Sequence, residues 1–281
     1  LSTRSRISAG TAGVNRLNIG VQSFRNENLR FLGRIHTAEE AIATVEAARR
    51  AGFDNLGMDL MYGLPGQSPE AWRFDLKTAV SLNPEHLSCY MLSYEPGTPM
   101  ERLRQGGHIR PMSDQQVGVL YDFTIEGLAD HGYGQYEISN FARSPGLQSR
   151  HNRKYWQNVP YLGLGPSAHS YLPPRRYWNV KGIQAYIQAL TSGRTPVDSR
   201  EHLTPAQQMM EALYLGLRQT AGISMAEFDA RFGGDFQTRF GPLLTELSEN
   251  GWLYAENRRC ALTPKGMLLL DALVSRFIEE C

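Results

Sequence analysis

Along the first half of the chain apolar positions follow two rhythms in turn: short dense runs bounded by glycine or polar residues, then stretches in which they recur every three or four residues. The first rhythm predicts strands and the second amphipathic helices. Val14–Val21 reads as a strand, and Thr37 with Glu40 three residues on is a capping-box signature for a helix whose Ala41, Ile42, Val45 and Ala48 share a face up to Gly52. Leu56–Met61 predicts a second strand. Ser68-Pro69 then supplies an N-cap and a first-turn proline for a helix burying Trp72, Leu76, Ala79 and Val80 as far as Asn83-Pro84. His86–Leu92 follows as a third strand, Ser113 and Gln116 cap a helix carrying Val117, Leu120, Tyr121, Thr124 and Leu128, and Gly134–Ile138 offers one more strand.

Repeated βα units imply an α/β fold, either a (β/α) barrel or an open doubly wound sheet, and in both the loops after the strands carry the chemistry. Here those loops are GVQSF, DLMYGLPGQ and CYMLSYEPGTP. Three units are too few to close a barrel, and Val14–Val21 presents an edge that predicts dimerisation or poor solubility. A missing N-terminal portion is the expectation. We divide the chain into 1–138, the βα part; 139–198, an irregular covering or ligand-binding segment with Tyr155, Trp156, Tyr161, Tyr171, Tyr177 and Trp178; and 199–281, helices around a short Trp252–Ala255/Cys260–Leu262 hairpin, a winged-helix-like module.

Composition narrows the function. Lys and Arg number 29 against 28 Asp and Glu, a net charge of +1, which gives no bulk case for wrapping a polyanion. In the last module Arg218, Arg231 and Arg239 are interleaved with Glu211, Glu227 and Asp235, so no basic face emerges and nucleic acid is not an expected partner. No run of 18 apolar residues occurs and the opening LSTRSRISAGTAG lacks an apolar core, which places the protein in the cytoplasm. Cys89, Cys260 and Cys281 are too far apart for a self-contained zinc or iron–sulfur motif.

Several residues could carry chemistry. Gln22, just past a strand, offers amide donors and an acceptor, and Arg34 in LGRIH can hold a carboxylate in a bidentate fork. Asp59 inside an apolar strand needs a partner, and a structural salt bridge is as good a reading as a ligand contact. Gly63-Leu64-Pro65-Gly66 and Glu95–Pro99 read as turns and scaffold. His151-Asn152-Arg153-Lys154-Tyr155-Trp156 packs a histidine among amphipathic aromatics: His151 or Tyr155 could ligate haem iron and Trp156 could lie against a flat macrocycle, while a hydrogen-bonded structural histidine is the plainer alternative. His169 has the same two readings.

Seven segments in order, GVNRLNIGVQSF, LGRIH, DLMYGLPGQ, SCYMLSYEPGTP, QYEISNFA, HNRKYW and YLGLGPSAHSY, resemble the HemW group of the radical S-adenosylmethionine superfamily, relatives of the oxygen-independent coproporphyrinogen III oxidases. The resemblance runs from Gly13 nearly to the end of the chain. It implies the C-terminal part of a partial (β/α)6 barrel followed by an α-rich winged-helix-like domain. It also implies that Gln22, Arg34 and Asp59 contact S-adenosylmethionine and that HNRKYW, matching HNxxYW, is the haem region. The family picture is a haem chaperone with a [4Fe–4S] cluster that passes haem to respiratory proteins at the membrane. The alternative is the oxidase itself, removing two propionate carboxyls by radical chemistry. One departure stands out: the family's CxxxCxxC motif and glycine-rich S-adenosylmethionine motif belong before the GVNRL strand, and none of the three cysteines replaces them. The expectation is an N-terminally truncated member that does not cleave S-adenosylmethionine.

Overall fold

A computed structural model describes residues 13–280, so Cys281 and all but the last residue of LSTRSRISAGTAG lie outside the described residues. The chain divides into two compact units, one up to Gln148 and the other from Ser149.

In the first unit β1 (Leu17–Gln22) is followed by a short α1 (Asn26–Phe31) and by α2 (Ala38–Arg50), whose Thr37–Glu40 capping box forms as its spacing predicts. β2 (Leu56–Tyr62) is buried along most of its length, as a strand covered on both faces must be, and leads to α3 (Pro69–Ser81) under the Ser68 cap. β3 (His86–Met91), α4 (Pro99–Gln105), α5 (Asp114–Ala129), β4 (Gly134–Glu137) and β5 (Asn140–Ala142) complete it. The sheet order is β1-β2-β3-β5-β4, with β1, β2 and β3 parallel. β5 runs antiparallel to both β3 and β4, so β4 reaches the sheet only through β5. Helix packing is pinned by Trp72, fully buried, whose Nε1 donates to Thr124 Oγ1 at 2.8 Å and whose ring stacks on Tyr62. Sequence rhythm misses α1, α4 and β5, all too short to show a period. α4 nevertheless carries a local signal, since Thr98 caps it by accepting from the Glu101 N–H and Pro99 opens it.

The second unit begins with α6 (Arg150–Trp156), then β6 (His169–Leu172), β7 (Arg175–Asn179), α7 (Ile183–Thr191) and β8 (Val197–His202), the strands forming an antiparallel sheet β6-β7-β8. After α8 (Pro205–Leu217) come β9 (Ile223–Ser224), α9 (Met225–Phe232), α10 (Phe236–Glu249), β10 (Leu253–Glu256), β11 (Arg259–Leu262), α11 (Pro264–Met267) and α12 (Leu270–Glu279). β10 and β11 form the expected hairpin of the wing, and β9, too short to show in the sequence, joins β11 as a third strand. Its helices close over Phe228, Phe236, Phe240 and Phe277, with ring centroids 5.0 Å apart for Phe228–Phe236 and 5.2 Å for Phe240–Phe277.

Candidate functional site

Parallel pairing of β1 with β2 sets Gly20 opposite Asp59 and Gln22 opposite Leu60, so two of the predicted ligand residues lie one register step apart on adjacent strands, Gln22 at the end of β1 where the βα loop begins. Asn18 supplies what Asp59 needs: its Nδ2 donates to Asp59 Oδ2 at 2.6 Å, and its side chain lies across Gly57, where a Cβ would fall 2.0 Å from Asn18 Oδ1. A structural ion pair for Asp59 is therefore not what forms among the described residues. Arg16 lies close enough to feel the Asp59 charge, but its Nη1 donates to the Leu147 carbonyl at 2.7 Å and burial lowers its pKa. Asp59 is only half-buried, so an amide partner and solvent suffice for its carboxylate.

Gln22 is buried and sits at φ 68°, in the left-handed region. Its amide folds back along the strand, with Nε2 2.8 Å from where a Cβ at Gly20 would lie. Arg34 is exposed on the loop between α1 and α2, and the same loop is tied to the strand by His36, whose ring Nε2 lies 3.2 Å from the Val21 carbonyl. Amide, carboxylate and guanidinium are the kinds of group that a zwitterionic ligand bearing hydroxyls, such as S-adenosylmethionine, requires, and the structure sets the first two on adjacent strands and the third on the following loop. The GLPG turn is scaffold: Gln67 Oε1 accepts from the Gly63 N–H at 2.9 Å and the Leu64 N–H at 3.3 Å. An iron–sulfur cluster is another matter. Cys89 and Cys260 are buried in separate units, burial pushes the Cys89 thiol far up and the Cys260 thiol up to about 12, and no group of three His, Cys, Asp or Glu side chains converges among the described residues. The described residues do not fit a cluster.

In the second unit Ser149 caps α6 by accepting from the Asn152 N–H, and the helical spacing sets His151 and Tyr155 one turn apart on one face, ring centroids 4.9 Å apart and edge-on. Tyr155 meets Tyr161 at 4.8 Å, and Tyr161 bridges to Tyr171 through a reciprocal pair of backbone hydrogen bonds. His151 is exposed at the end of this row of rings. Trp156 points elsewhere: Arg218, the residue that ends α8, stacks on its ring at 3.7 Å and Gln219 Nε2 donates to its carbonyl at 3.0 Å, so one ring face is engaged in fastening α6 to the end of α8. His169 stacks on Trp178 with centroids 5.4 Å apart. One signal the sequence reading passed over lies in the same stretch. Residues 149–200 carry eight Lys and Arg against Asp198 as the lone acid, and Arg176 among them is paired with Glu201 and Glu211.

The radical SAM superfamily model matches residues 9–79 and the HemN C-terminal domain model matches residues 203–269. The chain is 37% identical over 269 residues to the heme chaperone HemW of Bacillus subtilis (strain 168), covering 96% of this chain and 71% of that protein. It is 34% identical to the heme chaperone HemW of Lactococcus lactis subsp. lactis (strain IL1403), covering 96% and 70% respectively. The mitochondrial radical S-adenosyl methionine domain-containing protein 1 of Danio rerio is 31% identical, with 96% of this chain and 63% of that one covered. Among solved structures, coproporphyrinogen III oxidase (HemN) from Escherichia coli, a radical SAM enzyme, superposes with a TM-score of 0.78 at 25% identity, covering all of this chain and 68% of that one.

Proposed function

The chain belongs to the HemW family of radical S-adenosylmethionine proteins, and from that premise we propose that it is a haem chaperone, which binds haem at the HNxxYW helix and releases it to respiratory haem proteins at the membrane. The observation that carries the reading is α6 itself: His151 is exposed and Tyr155 lies one turn away on the same face, backed by Tyr161 and Tyr171. His151 or Tyr155 supplies the iron ligand, the tyrosine row offers an apolar wall, and the basic residues of 149–200 meet the propionates. Trp156 contributes by orienting α6 through Arg218.

Gln22, Arg34 and Asp59 would hold S-adenosylmethionine, the amide and carboxylate on adjacent strands and the guanidinium from the α1–α2 loop. Bound next to a reduced cluster, that molecule supplies a carbon radical; the haem role proposed for α6 draws on none of that chemistry. The protein acts in the cytoplasm on this reading, and no helix among the described residues is long and apolar enough to cross a membrane.

The test is a haem titration followed in the Soret band. We expect one haem per chain, with the ligand-field bands altered and affinity reduced about tenfold or more by whichever of His151→Ala and Tyr155→Phe removes the ligand. Saturation indistinguishable among the three proteins would refute the α6 site. The second reading, coproporphyrinogen III oxidase, is favoured by the Escherichia coli structural neighbour. Loss of propionate carboxyls from coproporphyrinogen III, assayed with a form of the protein that carries the cluster and supplied with S-adenosylmethionine and a reductant, would establish it; we expect none.

A further inference from the structure

Gln22 adopts a backbone conformation that a residue with a side chain takes only under constraint. At φ 68° it is the centre of a γ-turn closed by the Ser23 N–H donating to the Val21 carbonyl at 2.9 Å. Such strain persists where the surroundings over-determine it, and it gathers at ligand sites. The constraint comes from α3. Asp75, wholly buried and 52 residues from Ser23 in sequence, accepts from the Ser23 hydroxyl at Oδ2 and from the Phe24 N–H at Oδ1, each at 2.7 Å. Ser23, itself fully buried, accepts in turn from the Arg25 N–H at 3.2 Å and from Asn28 Nδ2 at 3.0 Å. The guanidinium whose charge reaches it, that of Arg25, is engaged by Glu27. A buried carboxylate without an ion pair is an expensive way to make a turn that glycine would make freely. What the expense secures is a full-length amide side chain at a strained position.

We propose that Asp75 is a positioning residue: through Ser23 and Phe24 it locks Gln22 into its left-handed turn and so holds the Gln22 amide back along β1 over Gly20, on the face where it meets the ligand. The proposal rests on the reading of Gln22 as an S-adenosylmethionine contact. His36 adds a second tie, its ring Nε2 3.2 Å from the Val21 carbonyl, and couples the loop of Arg34 to the same turn.

A double-mutant cycle on the full chain tests it, with S-adenosylhomocysteine as the calorimetric probe and backbone amide exchange as a readout that needs no ligand. Gln22→Ala and Asp75→Ala should each weaken binding about tenfold, while Asp75→Ala on top of Gln22→Ala adds less than about twofold. Asp75→Asn, which keeps an acceptor, should restore part of the affinity, and Ser23→Ala serves as a milder lesion should Asp75→Ala fold poorly. Exchange at Ser23 and Phe24 should rise about tenfold or more in Asp75→Ala while α2 is unchanged. An Asp75 effect of equal size with and without Gln22, or unaltered exchange at Ser23 and Phe24, overturns the positioning role. Absence of probe binding, or full binding by Gln22→Ala, overturns the ligand reading on which the role depends, and exchange then still reports separately on the clamp.

Discussion

Burial raises the Asp75 carboxyl to about 6, against the opposing pull of the Ser23 hydroxyl and the Phe24 N–H, with Arg25 and Glu27 exerting smaller effects of opposite sign. An unfolded aspartate titrates near about 3.9, so between roughly pH 4 and 6 the folded chain binds more protons than the unfolded one and this residue's contribution to stability declines as pH rises. Asparagine has no such dependence. The stability of Asp75→Asn minus that of the unsubstituted chain should therefore fall by on the order of 2 kcal/mol when denaturant titrations move from pH 7.5 to pH 4.5. A difference flat across that range would show that the carboxyl titrates as an ordinary one. Asp59 makes the complementary case. Asn18→Ala removes its amide partner, and because Asp59 is half-buried water can substitute, so the loss of stability should stay below about 1 kcal/mol. Neither partnership was legible in the sequence. Asn18 lies 41 residues from Asp59 and Ser23 lies 52 from Asp75, and polar pairs at such separations leave no periodic or local trace. Asp59 itself was legible, because a carboxylate inside an apolar strand demands an explanation wherever it occurs.

Elements announce themselves when their signals are local. The Thr37–Glu40, Ser68-Pro69 and Ser113–Gln116 caps each form where their spacing places them, and the helices between carry enough turns for the apolar face to show. β5 has three residues and α1 six, and neither length holds a period. The antiparallel insertion of β5 between β3 and β4 is accordingly a tertiary fact. The same distinction applies to α6, whose His151 and Tyr155 share a face by helix geometry alone, whereas the stacking of Arg218 on Trp156 had to be seen. The wing depends on a further contact of this kind. Gly222 sits at φ 61°, and a Cβ there would lie 2.1 Å from the Cys260 carbonyl oxygen and 2.6 Å from Ala261, both backbone that cannot yield without moving β11. Gly222→Ala should destabilise the chain by about 2–4 kcal/mol, from the left-handed conformation and the overpacking together. Chemical denaturation would show it as a lower midpoint, and an unchanged midpoint would mean that β9 and β11 approach less closely.

At the scale of the whole molecule a net charge of +1 argued against any strongly anionic partner, and the average concealed the distribution. Eight of the 29 basic residues fall within 149–200, where Asp198 is the only acid, and the rest of the chain is correspondingly acidic. Arg150, Arg153 and Lys154 interleave with His151 and Tyr155 on the short helix α6, so the proposed iron ligands and a concentration of positive charge occupy one element. Haem presents two propionate carboxylates, and those contacts are exposed, which makes them sensitive to screening. The Debye length falls from about 14 Å at 50 mM salt to about 4 Å at 500 mM. If the basic segment holds the propionates, haem affinity should drop about tenfold over that interval, whereas haem dimethyl ester should bind more weakly and with no comparable salt dependence. The iron ligand is common to both compounds, so the comparison isolates the charge. Equal affinity and equal salt response for acid and ester would assign the binding to the aromatic row and the iron ligand alone, leaving the charge of 149–200 for another partner.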